Sequence, residues 1–176
     1  FGAGVVLAGD TFDDARLHGL QLAQQRGLTL VHPYDDLAVM AGQGTIALEM
    51  LAAQPAIDTL LVAVGGGGLI SGMATAARAL RPGIQVFGVQ TERFPPVWNA
   101  VRGEPRECAQ ATIADGIAVK SPGALTVPLI RERVADMLLV GEDDIEQSIL
   151  LLLEIEKTVV EGAGARSEDG AGGAGR

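Results

Sequence analysis

Four consecutive glycines, Gly65-Gly66-Gly67-Gly68, stand between the apolar run Thr59–Val64 and a stretch of helical spacing, Leu69–Leu80. Glycine loses more backbone freedom on ordering than any other residue, so four in a row at a strand exit are unfavourable for stability alone. Arg81-Pro82-Gly83 stops the helix, and Ile84–Val89 is a second apolar run. Strand, helix and strand in so short a span predict a right-handed βαβ crossover with parallel strands. The chain is 48% hydrophobic but only 3% aromatic. Its core must therefore come from Ala, Val, Leu and Ile, which suits helices packed on a parallel sheet.

The remaining pattern extends that unit. Val5-Val6-Leu7 reads as a short buried strand, and Asp10–Asp14 offers caps and acids for a helix that Gly27 closes. Leu28–Val31 reads as a second strand, ended by His32-Pro33. Ala41-Gly42-Gln43-Gly44-Thr45 reads as a small-residue turn, with Thr45 capping a helix that runs to Ala53. Phe94–Trp98 opens a short helix, and Thr112–Val119 stays between strand and loop. A helix follows over Leu125–Val134, then a strand over Met137–Val140. Gly141 is a turn, and Glu142-Asp143-Asp144 opens a long helix with a buried stripe of Ile145, Ile149, Leu152, Leu153 and Ile155. The sum is α/β, an open and mainly parallel sheet flanked by helices. The last residues, 166–176, lack hydrophobic periodicity and are expected to be disordered.

Charge narrows the partners. A net charge of -9 disfavours nucleic acid and an anionic membrane surface. The single cysteine, Cys108, cannot form an internal disulfide, and no apolar run approaches the ~20 residues of a membrane helix. The start has no basic flank and meets Asp10 quickly, unlike a signal peptide. A cytoplasmic protein fits best.

What glycines provide at a strand exit is close approach. Without Cβ atoms in the way, several backbone N–H groups can meet one anion at the positive end of the next helix. A phosphate is the expected guest, at the strand end where open sheets bind ligands. A P-loop would need Gly-Lys-Ser/Thr, and Leu69-Ile70-Ser71 stands there instead. A dinucleotide fingerprint is the alternative: Gly66 and Gly68 supply its first two glycines, Ser71 replaces the third, and Glu92 stands near the place of the ribose-binding acid.

Several segments together resemble one family. Gly65–Leu69 after an apolar strand is similar to the phosphate loop of the threonine dehydratase, serine dehydratase and serine racemase group, fold-type II enzymes dependent on pyridoxal 5'-phosphate (PLP). His32-Pro33-Tyr34-Asp35-Asp36 with Ala41–Thr45, then Thr112–Val119, then Val160–Ala165 resemble further signatures of the group, in its order. The likeness covers residues 1 to about 165. It implies the end of a small domain over 1–31, most of a PLP-phosphate-binding large domain over 32–165, and a tail over 166–176. It also implies a chain truncated at both ends.

The resemblance implies a threonine or serine ammonia-lyase that eliminates a β-hydroxyl, gives a 2-oxo acid and ammonia, and forms a homo-oligomer. L-Threonine or L-serine would be the substrate. A noncatalytic Rossmann-like dinucleotide module remains the alternative, as does a serine racemase or a cysteine-synthase-like member. The cofactor's phosphate falls to Gly65, Gly66, Gly67, Gly68 and Leu69, while Gln43, Gly44, Thr45 and Glu161 are candidate active-site lining. In this family a Schiff-base lysine holds the aldehyde, in a Ser-Phe-Lys-type motif upstream. Only Lys120 and Lys157 occur here, neither in that context, so no catalytic residue is expected in this chain. The isolated chain is expected to be poorly stable and inactive.

Some members bind a divalent ion through an acid at the end of the strand after the glycines. Gln90 holds that place here, with only Glu92 nearby, and no metal site is expected. His18 reads as a surface residue, His32 as structural, and Cys108 as a spare thiol.

Overall fold

The computed structural model describes residues 2–165, apart from the side chains of Phe12 and Asp13. The expected disorder of 166–176 lies outside the described residues. Contacts divide the chain into two compact units, Phe1–His32 and Pro33–Arg176.

The first unit is built on helix α1, Phe12–Arg26. Thr11 and Asp14 form a reciprocal capping box: Asp14 N donates to Thr11 Oγ1 at 3.2 Å, and Thr11 N donates to Asp14 Oδ2 at 3.1 Å. Gly27 closes the helix in the left-handed conformation (φ 64°). The strands expected at Val5–Leu7 and Leu28–Val31 do not form. Val5 is 82% exposed and Leu7 93%. A strand satisfies its N–H and C=O groups only through a neighbouring strand, and neither run has one among the described residues.

The second unit opens with α2, Leu37–Ala53. This corrects the expected turn at Ala41–Thr45, which lies inside the helix. Asp36 is the cap, its Oδ1 accepting from Ala38 N at 2.8 Å and Val39 N at 3.0 Å. Thr45 Oγ1 only donates back to Gly42 O, at 2.7 Å. The small residues serve a close helix crossing. α2 packs on α3, Gly68–Leu80, and a Cβ on Gly72 would sit 2.0 Å from Met40 O.

Three strands follow one another across the sheet: β1 (Thr59–Ala63), β2 (Gln85–Thr91) and β3 (Asp136–Val140). Both pairings are parallel, with Thr59 opposite Gln85 and Phe87 opposite Asp136. α4 (Pro96–Arg102) and α5 (Thr126–Arg133) connect β2 to β3, and α5 packs on both α3 and α4. The main core joins Leu60, Val62 and Val64 to Ile70, Ala74 and Ala77 of α3, Val86 of β2, Ile130 of α5 and Met137 of β3. Burial along β1 alternates, leaving Leu61 and Ala63 partly exposed, although its continuous apolar run suits a strand covered on both faces.

After β3, α6 spans Glu142–Leu151. Ile145 is buried against Val89, Val140 and Ala163, but Leu153 is 46% and Ile155 67% exposed. The expected stripe therefore holds only at its start. Past Leu151 the backbone widens into a π turn, Leu152–Glu156, which rotates the face out of helical register. Thr112–Val119 contains a 3-10 turn, Asp115–Ile117. No described helix is long and apolar enough to cross a membrane.

Candidate functional site

The four glycines leave β1 at its carboxyl end and enter α3. Gly67 is the N-cap, in the left-handed region (φ 98°), and no side chain of its own caps the helix. α1 and α2 have such caps, from Thr11 and Asp36. The first N–H groups of a helix have no intrahelical acceptor. Here the amides of Gly65 to Ile70 donate to no protein group among the described residues. The loop therefore presents unspent donors at the positive end of a thirteen-residue helix.

The carbonyls of the same loop are committed. Gln90 is fully buried on β2, and its side-chain amide donates to Val64 O at 3.3 Å and Gly65 O at 3.0 Å. Its Oε1 accepts from Trp98 N, an unpaired first-turn donor of α4, at 2.8 Å. Thr126, also fully buried, donates from Oγ1 to Gly66 O at 2.9 Å. Gly67 O accepts from Ser71 N at 3.0 Å.

Close contacts explain why side chains are absent. A Cβ on Gly66 would fall 2.3 Å from the Tyr34 ring, and one on Gly68 2.7 Å from Tyr34 O. On Gly67 it would meet Ile130 Cδ1 and Thr126 Oγ1, both at 2.9 Å. Tyr34 is itself held, its hydroxyl donating to Ser121 O at 3.1 Å. Asp35 beside it accepts from Ala124 N at 2.9 Å, Leu125 N at 2.8 Å and Thr126 N at 3.3 Å, at the start of α5.

The other candidates divide between this loop and elsewhere. Leu69 is half-buried and packs on the main core. Gly44 is buried at the α2–α3 crossing, where its Cβ would lie 3.0 Å from Gly72 O; Gln43 is half-buried and Thr45 exposed. Glu161 lies against a neighbouring segment rather than against the loop itself. A Cβ on Gly116 would lie 3.3 Å from Glu161 Oε2, and the next residue, Ile117, lies 3.2 Å from the Cβ position of Gly65. Lys120 is exposed, and Lys157 donates its Nζ to Glu154 O.

Ser71, the third place of a dinucleotide fingerprint, is buried and faces Thr126 O at 3.4 Å. Gln90, which stands where some members of the resembled family carry a metal-binding acid, spends its amide on the loop and on α4. Glu92 is exposed, and no cluster of His, Cys, Asp and Glu that could hold a metal occurs among the described residues.

Sequence reasoning missed Glu142, whose Oε1 accepts from Thr112 Oγ1 at 2.6 Å and whose Oε2 accepts from Ile113 N at 2.7 Å. That carboxylate ties down the segment carrying Ile117. In the sequence Glu142 stands out only as a helix-opening acid, and nothing local marks its distant partners. A cleft of about 270 Å³ between α4, α5 and the start of β3 is lined by Val101, Arg102, Ile130 and Arg131, and none of the four glycines lines it. Cys108 is partly buried; burial raises its thiol above the ordinary value, and the positive charge of Lys120 works against that rise.

Known proteins resemble this chain in sequence and in fold. A sequence profile of the family described as pyridoxal-phosphate dependent enzyme matches residues 1–173. The L-threonine ammonia-lyase of Geobacter sulfurreducens is 47% identical over 167 residues, covering 94% of this chain and 42% of that protein. Among solved structures, maize serine racemase superposes with a TM-score of 0.89 at 30% identity, covering 97% of this chain and 52% of the other. The processed form of threonine deaminase isoform 2 from Solanum lycopersicum gives 0.87 at 34% identity, covering 95% and 47%. The chain spans about half the length of the curated relatives it matches.

Proposed function

The chain belongs to the pyridoxal-phosphate-dependent enzyme family, and from that premise we propose that it supplies the phosphate-anchoring part of an ammonia-lyase acting on L-threonine or L-serine. The observation that carries this reading is the row of unspent amides, Gly65 to Ile70, at the start of α3. The residues fit the group. A phosphate monoester is a compact anion that accepts several short N–H bonds, and the helix adds roughly half a positive charge at the same point.

Gly65, Gly66, Gly67, Gly68 and Leu69 would hold the phosphate. Each N–H bond to a charged acceptor contributes roughly 1.5–3 kcal/mol. Ile130, fully buried, packs beside Gly67, and Ile117 lies beside Gly65. Glu161, whose Oε2 lies 3.3 Å from the Cβ position of Gly116, would approach a ligand only by way of the segment that borders Gly65. When bound, PLP supplies the electron sink that lets the α-proton and then the β-hydroxyl of the amino acid depart.

Neither lysine of this chain stands in the family's lysine motif, so the isolated chain is read as a phosphate binder without turnover. Amide chemical shifts followed during titration with PLP, and separately with inorganic phosphate, test the first half. Resonances of Gly65 to Ile70 should move with both ligands. Unmoved resonances would remove the reading. A deamination assay on threonine and serine tests the second half: the expected result is no 2-oxo acid, and steady production would show that a residue here does the lysine's work.

A further inference from the structure

We infer that Gln90 and Thr126 are positioning residues that aim the phosphate-binding amides by gripping the opposite side of the same peptide groups. This rests on the phosphate reading above and adds how the loop is held ready. A trans peptide is planar, and its N–H points opposite to its C=O. Fixing a carbonyl therefore fixes the direction of the next residue's amide.

The consecutive carbonyls of Val64, Gly65 and Gly66 are gripped by two buried side chains. Gln90 Nε2 donates to the first two, at 3.3 and 3.0 Å, and Thr126 Oγ1 to the third, at 2.9 Å. The amides of Gly65, Gly66 and Gly67 consequently face away from Gln90 and Thr126. Glycine cannot hold such an orientation by itself, because its backbone rotates almost freely. Without the grips, a glycine run would sample many directions and bind an anion only in the fraction that converges.

Both grips are anchored elsewhere. Gln90 Oε1 accepts from Trp98 N at 2.8 Å, so α4 locks the side-chain amide in one orientation. Thr126 sits in the first turn of α5, where its N–H donates to Asp35 Oδ1 at 3.3 Å. Gln90 is well suited to this position. A carboxylate there could accept from Trp98 but would face two carbonyl oxygens with no proton to give.

The test uses the full chain and inorganic phosphate, with affinity read from amide shifts at a temperature well below every variant's Tm. Gln90→Met and Thr126→Val should each weaken phosphate binding about tenfold or more, while Thr126→Ser, which keeps the hydroxyl, should restore it. Val86→Ala, in the same strand, fully buried and paired with Leu60 rather than with the loop, should lower Tm and leave affinity unchanged. In the parent chain the side-chain amide resonances of Gln90 should shift with those of Gly65 to Gly67 as phosphate is added, a readout that needs no variant to fold.

Equal affinity in Gln90→Met and Thr126→Val, or an equal loss in Val86→Ala, would overturn the inference while leaving the phosphate site in place. A static Gln90 side chain beside moving loop amides would do the same. If the loop amides of the parent chain ignore phosphate, the site itself fails and the inference falls with it.

Discussion

Replacing Gly67 by alanine should damage stability and phosphate affinity together. At φ 98° the residue occupies a region that side chains rarely tolerate, and holding a non-glycine residue there costs about 1–3 kcal/mol. The added Cβ would meet Ile130 Cδ1 and Thr126 Oγ1 at 2.9 Å and Thr126 Cβ at 3.0 Å. Ile130 and Thr126 are buried, so neither yields freely, and overpacking of this kind adds about 1–3 kcal/mol. The chain can escape part of that by rotating the peptides on either side of residue 67. Rotation changes the direction in which the amides of Gly67 and Gly68 point. Losing one bond to a charged phosphate, about 1.5–3 kcal/mol, corresponds to a drop in affinity of about tenfold to a hundredfold. Urea denaturation gives the stability change and a phosphate titration the affinity. Gly83→Ala is the control, because no atom lies within 4 Å of its Cβ position. It should change stability by no more than about 0.5 kcal/mol. A Gly67→Ala chain that matches this control in both measurements would refute the account of the loop.

Gly72→Ala should lower the urea midpoint by the equivalent of about 3 kcal/mol or more at unchanged slope, since its Cβ would sit 2.0 Å from the Met40 carbonyl, a backbone atom that cannot swing aside; a change below about 1 kcal/mol would mean that α2 and α3 do not cross there. Asp35→Ala strips the start of α5 of an acceptor for three amides and should cost about 1–2 kcal/mol, with faster hydrogen exchange at Leu125. Glu142→Gln should loosen Thr112–Ile117, read as faster exchange of the Ile113 amide, while β1 and β2 keep their protection. The Cys108 thiol is raised by burial, so its favourable contribution is present below its unfolded pKa and fades as pH rises through the higher folded value. Iodoacetamide reactivity should therefore inflect at higher pH in the folded chain than in urea, and Lys120→Ala should move the folded inflection further up; coincident inflections would contradict the burial.

The sequence by itself determined the strand, glycine corner, helix and parallel strand over residues 59–89, because each signal there is local. The apolar run has strand length, the glycines stand at its exit, and Pro82-Gly83 ends the helix. The start of α1 was readable as a choice of caps over Asp10–Asp14, and the fold selected Thr11 with its partner Asp14. Tertiary structure decided whatever depends on a partner far along the chain. Val5–Leu7 and Leu28–Val31 carry strand-like composition, yet a strand exists only when another strand meets its backbone. Ala41–Thr45 looked like a turn because glycine is a poor helix former, and its small residues make sense only where α2 crosses Gly72. Asp35 serves Leu125 ninety positions later, and Gln90 serves carbonyls of the loop that follows β1. Hydrogen-bond partners across such distances leave no periodicity in the chain, so only the folded arrangement could assign them.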